Sequence, residues 1–409
     1  MATIRSSTPL VVSETDRDQA GWLALNASPE TRPRVGFASI EERRLVLDWL
    51  NDGLRDGRPG RLASEYPLLF EGNASAIPMT LWAGRSPIAF CTLWVVPFRI
   101  GVHRLRTGMI SLVYTDPAHR GRGHASRIVR AAIDRATALD LGLLLLWSDL
   151  DALYASLGFT EAGHESLLVL DLPTVRRALE RERPDGAVRV EQATPADWPE
   201  IERLRGHRTC QLELDPGELA RARSIPDLDV RVARGREGVL AFAMRGRGDD
   251  LAEVVHEWGG DADAALLCCE SLLIASEPGN ELFLMTPPDH DTLSWMLRRA
   301  GARRVRKSLA WMRIASPAAF ARDLSSMLPG LSGLAIEIGS GDPGAIDAVR
   351  LRSARGESSI EPVRLFEALF GSARPESTEA LVRALEPALG PAACDHLPIP
   401  LFVWGLESI

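Results

Sequence analysis

The sequence predicts an α+β protein: a mixed sheet flanked by helices, the same arrangement a second time, and a small third α+β unit. Three observations lead there. Strand-like runs alternate with amphipathic segments along most of the chain. One run, Leu143-Leu-Leu-Leu-Trp147, is apolar throughout, as a central strand covered on both faces must be. From Val188 onward the element order seen before Leu172 starts again, which reads as a tandem duplication. At 409 residues the chain is also too long for one compact core.

Composition narrows the function classes. The net charge of −8 argues against nucleic acid as a partner and suits a cationic acceptor such as an amine. The basic residues are almost all arginine, Lys307 being the only lysine. No apolar run approaches the length of a membrane span, and residues 1–32 lack the apolar core of a signal peptide. The expected location is the cytoplasm, with no membrane partner. Cys91, Cys210, Cys268, Cys269 and Cys394 show no metal-ligand spacing, so no metal site is expected.

In chain order, residues 1–32 read as a loose polar arm. Arg34 to Phe37 reads as a first strand. Ser39 ahead of Glu41-Glu42 caps a helix whose apolar stripe is Leu45, Val46, Trp49 and Leu50. Strands are expected at Pro78–Trp82 and Ile88–Val96, then, after a turn near Gly101, at Thr107–Thr115. Ile128, Val129, Ala132, Ile133, Ala136 and Leu139 keep a helical period. A short helix at Leu153–Leu157 and a closing strand at Ser166–Leu172 complete the first unit. Arg176 to Gly186 reads as a charged linker and turn.

The chemistry concentrates between the strand ending at Thr115 and the helix that follows. Arg120-Gly-Arg-Gly-His-Ala-Ser126 is a Gly-rich turn at a helix entrance. Such a turn leaves backbone N–H groups pointing outward, the helix dipole adds positive potential, and the two arginines add charge. A pyrophosphate is the natural guest. The turn lacks the Gly-Lys-Ser/Thr ending of a Walker A loop and the third glycine of a dinucleotide fingerprint.

Arg-x-x-Gly-x-Ala in that setting resembles the coenzyme A loop of the GNAT acyltransferases. Leu153-Tyr154-Ala-Ser-Leu-Gly158-Phe159 resembles their second signature, a tyrosine on a short helix before Gly-Phe. The resemblance covers residues ~33–172 and implies a catalytic GNAT domain there. It implies that Val113, Tyr114 and Thr115 lend backbone groups to pantetheine and the acyl oxygen, and that Arg120, Gly121, Arg122, Gly123, His124, Ala125 and Ser126 hold the pyrophosphate. Ser148 and Asp149 fall where family members touch the cofactor again, and Tyr154 matches the general acid. A tyrosine before Gly-Phe can equally be a packed core ring. Glu65, His119 and Asp149 are base candidates by residue type, and Trp94, Phe98 and Trp147 are candidates for lining the acceptor cleft.

The second unit, residues 187–315, repeats the order of the first and reads as a degenerate GNAT-like copy. Its strand-to-helix turn, Gly259-Gly260-Asp261, has no arginine, and all three tyrosines, Tyr66, Tyr114 and Tyr154, lie in the first half. Arg245-Gly-Arg-Gly248 imitates the phosphate loop but falls between two strands and runs into Asp249-Asp250. Residues 317–409 form the third unit. The architecture resembles the enhanced-intracellular-survival acetyltransferases, which implies a sterol-carrier-protein-like last domain and a terminal carboxylate, here that of Ile409, as the base. The resemblance thus points to an acetyl-CoA-dependent N-acetyltransferase acting on a small-molecule or peptide amine, and leans towards a homo-oligomer. A non-catalytic acyl-CoA sensor or assembly scaffold is the competing expectation.

Overall fold

The structure, a computed structural model, describes residues 33–70, 74–181, 188–277, 279–287, 291–339, 346–373 and 378–408. The expected arm at 1–32 and the expected turn at 182–186 lie outside these residues.

The chain begins with β1 (Arg34–Val35), α1 (Ile40–Leu54), α2 (Arg61–Glu65), α3 (Pro67–Phe70), β2 (Ala76–Ala83) and β3 (Ser86–Val95). A hairpin, β4 (Phe98–Ile100) and β5 (His103–Leu105), precedes β6 (Thr107–Thr115) and α4 (His124–Ala138). Next come β7 (Leu143–Leu146), α5 (Asp151–Ala155), β8 (Thr160–Ala162), β9 (Glu165–Leu170) and α6 (Leu172–Arg181). The second unit runs β10 (Arg189–Gln192), α7 (Trp198–Arg205), β11 (Cys210–Leu212), α8 (Pro216–Ala222), β12 (Asp229–Gly235) and β13 (Gly238–Arg245). It continues through β14 (Val254–Gly260), α9 (Ala262–Ala275), β15 (Leu282–Thr286), α10 (Thr292–Arg299), β16 (Arg304–Lys307) and β17 (Ala310–Ile314). The third holds α11 (Pro317–Met327), β18 (Ala335–Gly339), β19 (Ala348–Arg352), β20 (Glu357–Ile360), α12 (Pro362–Phe370), α13 (Thr378–Leu389) and α14 (Pro391–Cys394).

Two seven-stranded mixed sheets carry the two larger units, with orders β1-β2-β3-β6-β7-β17-β8 and β10-β12-β13-β14-β15-β9-β16. Position for position the orders correspond, except that each sheet takes its sixth strand from the other half. The strand expected to close the first sheet, β9, pairs antiparallel with β15 and β16 of the second. In return β17 inserts between β7 and β8 of the first. Both strands are short and apolar, so either fits a buried slot; their pattern carries no information about which sheet receives them.

Local chemistry accounts for the helices. The Ser39 hydroxyl accepts from the Glu42 N–H at the start of α1. In α4 the buried residues Ala125, Ile128, Val129, Ala132, Ile133 and Ala136 form one stripe laid against β3 and β6. The segment expected as a charged linker from Arg176 is instead the second half of α6. Val175, Ala178 and Leu179 bury one face against α9 while Arg176 and Arg177 are exposed. The turn expected near Gly101 is the tip of the β4–β5 hairpin, which joins β11 in a small third sheet.

The last unit is a three-stranded antiparallel sheet, β18-β19-β20, with Phe320, Phe366 and Phe370 packed together beside it. From there the chain runs back along the second unit, where Phe402 and Trp404 are buried. Glu407 receives Arg205 Nη2 at 2.9 Å and the Leu212 N–H at 2.9 Å.

Candidate active site

β6 and β7 are parallel, but their pairing covers only Thr107–Met109 against Leu143–Leu145. From Ile110 onward β6 has no partner on that side, and the strands part. On its other side β6 is bulged against β3: Phe90 faces Tyr114, Thr92 faces Ser111, and Leu112 takes a φ of 52°. The bulge twists the end of the strand, carrying Val113, Tyr114 and Thr115 towards the opening between β6 and β7.

The chain then turns on Asp116. One carboxylate oxygen accepts from the Ala118 N–H at 2.9 Å and lies 3.3 Å from His119 Nδ1; the other accepts from Trp49 Nε1 at 3.2 Å. Partial burial pushes this carboxyl up, but these bonds together hold it below its ordinary value. α1 is thereby tied to the turn, and Trp49 also meets the Tyr114 ring edge-on at 4.9 Å. Tyr114 lies so close to α1 that a Cβ at Gly53 would fall 2.2 Å from its hydroxyl.

Arg120 donates to the Thr115 carbonyl at 3.2 Å, and Arg122 is exposed. Gly121 and Gly123 sit at φ 73° and 71°, a conformation glycine adopts without strain. Gly123 is the N-cap of α4, no side-chain hydrogen bond caps that helix, and its first turn follows the loop after β6 directly. The structure thus brings the expected residues 113–115 and 120–126 together at one end of the parted strands. Ser148 and Asp149 follow β7 on the far side, the first half-buried and the second exposed.

Tyr154 is fully buried. Phe159 stands edge-on to its ring at 6.1 Å and Trp311, from β17, lies at 6.4 Å. Burial pushes the phenol up from its usual range. The Ser148 hydroxyl pulls the other way, and the phenol oxygen has no hydrogen-bond partner among the described residues. A phenol so placed stays protonated at neutral pH and has a proton to give.

Other expectations fare differently. Glu65 lies at the junction of the two halves rather than beside this opening. Its carboxylate pairs with Arg55 at 2.5 Å and Arg61 at 2.6 Å and accepts from the Asp249 N–H at 3.1 Å. Asp250 accepts from Arg55 at 2.9 Å and from the Tyr66 hydroxyl at 2.5 Å. Arg245–Gly248, the imitation of the phosphate loop, is therefore part of a docking loop. Gly248 permits it, since a Cβ there would lie 2.5 Å from the Glu65 carboxyl carbon. Trp94 and Phe98 are fully buried, and Trp147 donates to the Leu309 carbonyl at 2.8 Å. Ile409 lies outside the described residues; the Ser408 carbonyl before it accepts from Arg247 at 2.5 Å.

The second half has the same parted strands, but they are occupied from within. β14 and β15 pair only at Val254–Phe283 and Val255–Leu284. Beyond that point the Trp258 indole reaches across to the Met285 carbonyl at 2.9 Å. Asp261 caps α9 with its own carboxylate, which accepts from the Ala264 N–H at 2.9 Å. The amides that are uncapped in α4 thus already have an anion in α9.

Residues 44–161, which span this site, match the acetyltransferase (GNAT) family model. The chain carries a GNAT acetyltransferase domain. Its chemistry is acyl transfer, and the chain is an acyltransferase. No curated protein matches the sequence. Among solved structures, a GCN5-related N-acetyltransferase from Kribbella flavida superimposes with a TM-score of 0.59 at 16% identity, over 92% of this chain and 100% of that one. A GCN5-related N-acetyltransferase from Anabaena variabilis gives 0.60 at 12% identity, over 92% and 100%. Eis1 from Mycobacterium abscessus gives 0.50 at 16% identity, over 81% of this chain and 85% of that one. At these identities the likeness is one of fold, and with the first two it runs through nearly the whole chain. Among the described residues no helix is long and apolar enough to cross a membrane, and no three His, Cys, Asp or Glu side chains gather as a metal site.

Proposed function

We propose that the chain is an acetyl-CoA-dependent N-acetyltransferase that passes the acetyl group directly to a small-molecule or peptide amine. The observation that carries this reading is the uncapped entrance of α4 at the mouth of the parted strands, with Gly121 and Gly123 at positive φ. Pyrophosphate sits on the amides of residues 121–126, flanked by Arg120 and Arg122. Pantetheine pairs with the open edge of β6 at Val113 and Thr115 as an added strand. The acyl oxygen is polarised by backbone N–H at the bulge. Ser148 and Asp149 meet the cofactor from the β7 side.

The neutral amine attacks the thioester carbonyl, the carbon–sulfur bond breaks, and Tyr154 protonates the departing thiolate. The proton shed by the nitrogen passes to solvent, from which Tyr154 is reprotonated. Burial supports that role by keeping the phenol protonated. The sterol-carrier likeness proposed for the last unit rests on domain order and the apolar terminus at 401–409.

Calorimetry with acetyl-CoA on the wild type and Gly123→Glu, followed by thiol release over a panel of primary amines, tests the reading. A carboxylate in the loop should abolish binding while circular dichroism stays unchanged. Binding by both proteins would place the cofactor elsewhere. Binding without thiol release from any amine would favour the sensor reading instead.

A further inference from the structure

We infer that Trp311 and Arg313, which the second half contributes through β17, are positioning residues for the helix that carries Tyr154. This assignment rests on the general-acid reading above. β17 lies between β7 and β8, with Trp311 opposite both Leu146 and Glu161. Residues two apart on a strand face the same way, so Trp311 and Arg313 both point to the α5 side of the sheet. The Trp311 indole N–H donates to the Ser148 carbonyl at 3.1 Å, just before α5. Arg313 Nη1 donates to the Leu157 carbonyl at 2.6 Å, just after it. The two side chains therefore hold both ends of a five-residue helix.

Such a helix is too short to hold its own geometry. The Ser148 hydroxyl is a further anchor, accepting from the Leu150 N–H at 3.0 Å. The Trp311 ring also lies beside the Tyr154 ring, inclined at 41°, while Phe159 closes another side edge-on. Among the described residues the phenol makes no hydrogen bond of its own, so ring packing and the clamped backbone fix where its hydroxyl points. The second half, whose own cleft is filled, thus completes the site of the first.

The test is a double-mutant cycle between Trp311→Phe and Tyr154→Phe, read as thiol release from acetyl-CoA with the fastest amine of the panel. Trp311→Phe keeps a ring in the slot and removes the N–H together with part of the indole. It should lower kcat about tenfold, the equivalent of one lost hydrogen bond, with KM for acetyl-CoA within about twofold. In the Tyr154→Phe background it should have no further effect, because the group it positions is gone. An equal loss in both backgrounds, or wild-type kcat for Trp311→Phe, overturns the assignment alone. Wild-type turnover by Tyr154→Phe overturns the general-acid reading and takes the assignment with it. If Trp311→Phe does not fold, Arg313→Met enters the same cycle with the same expectations.

Discussion

The indole N–H of Trp258 donates to the Met285 carbonyl, 2.9 Å away, across the gap where β14 and β15 part. Among the described residues no such bridge crosses the corresponding gap between β6 and β7 in the first half. Calorimetry should therefore return one acetyl-CoA per chain. Trp258→Ala should leave that stoichiometry at one, because Asp261 still places a carboxylate on the amides of α9. A second binding event in the variant would show that the indole alone closes the cleft.

Two glycines in similar sequence contexts should respond differently to alanine. At Gly248 a Cβ would meet the Glu65 carboxyl at 2.5 Å, and the backbone stands at φ 54°. Gly248→Ala should cost about 2–4 kcal/mol in urea unfolding, since it strains the backbone and wedges the docking loop off a buried ion-pair network. At Gly123 a Cβ would meet nothing within 4 Å. Gly123→Ala should cost about 1 kcal/mol, the backbone strain alone.

Tyr154→Phe should separate chemistry from stability. Thiol release should fall about a hundredfold, while calorimetric affinity for acetyl-CoA stays within about twofold. The melting temperature should hold or rise, because the substitution removes a buried hydroxyl that has no hydrogen-bond partner. A variant that turns over normally would make Tyr154 a core ring and nothing more.

His256 gives the fold a pH dependence. Burial pushes its pKa down to about 4, and its Nε2 lies 2.8 Å from the Gly246 carbonyl. Charged groups lie close to this ring: Glu257 favours its protonation, and Arg247 and Arg208 oppose it. The unfolded chain, with an ordinary histidine, binds a proton that the folded chain refuses between about pH 4 and 6.5. Stability contributed by neutral His256 is full above that window and is lost as pH falls through it, at up to about 1.4 kcal/mol per pH unit. His256→Gln should remove that share of the acid slope in urea titrations run from pH 4.5 to 7.5.

Much of the first half was legible because its signals are local. Ser39 caps α1, the stripe on α4 is buried as its period requires, and Asp116-Pro117 marks the turn ahead of two glycines at positive φ. The non-local features were not legible. β9 and β17 have equivalent apolar patterns, so only the assembled edges decide which sheet takes which strand. Trp311 lies 157 positions beyond Tyr154 in the sequence, and no spacing rule connects them. Glu65 looked like an available base because, beyond Arg61 one turn earlier on its own helix, its partners are gathered from the end of α1 (Arg55) and from a distant loop (the Asp249 amide). The helix over 172–181 was hidden because its charged residues alternate with a buried face of only three apolar side chains, Val175, Ala178 and Leu179.

The exchange of β9 and β17 also sets the order in which a ribosome can deliver a finished protein. When residue 172 emerges, β7 has an open edge and β8 has no sheet to join, since its neighbour is β17. Meanwhile β9 waits for β15 and β16, more than a hundred residues further on. The first half therefore cannot close as a nascent domain, and both sheets must close together once residue 314 has cleared the exit tunnel. Until then the acyltransferase half presents apolar strand edges that a chaperone, or another copy of the chain, is able to engage.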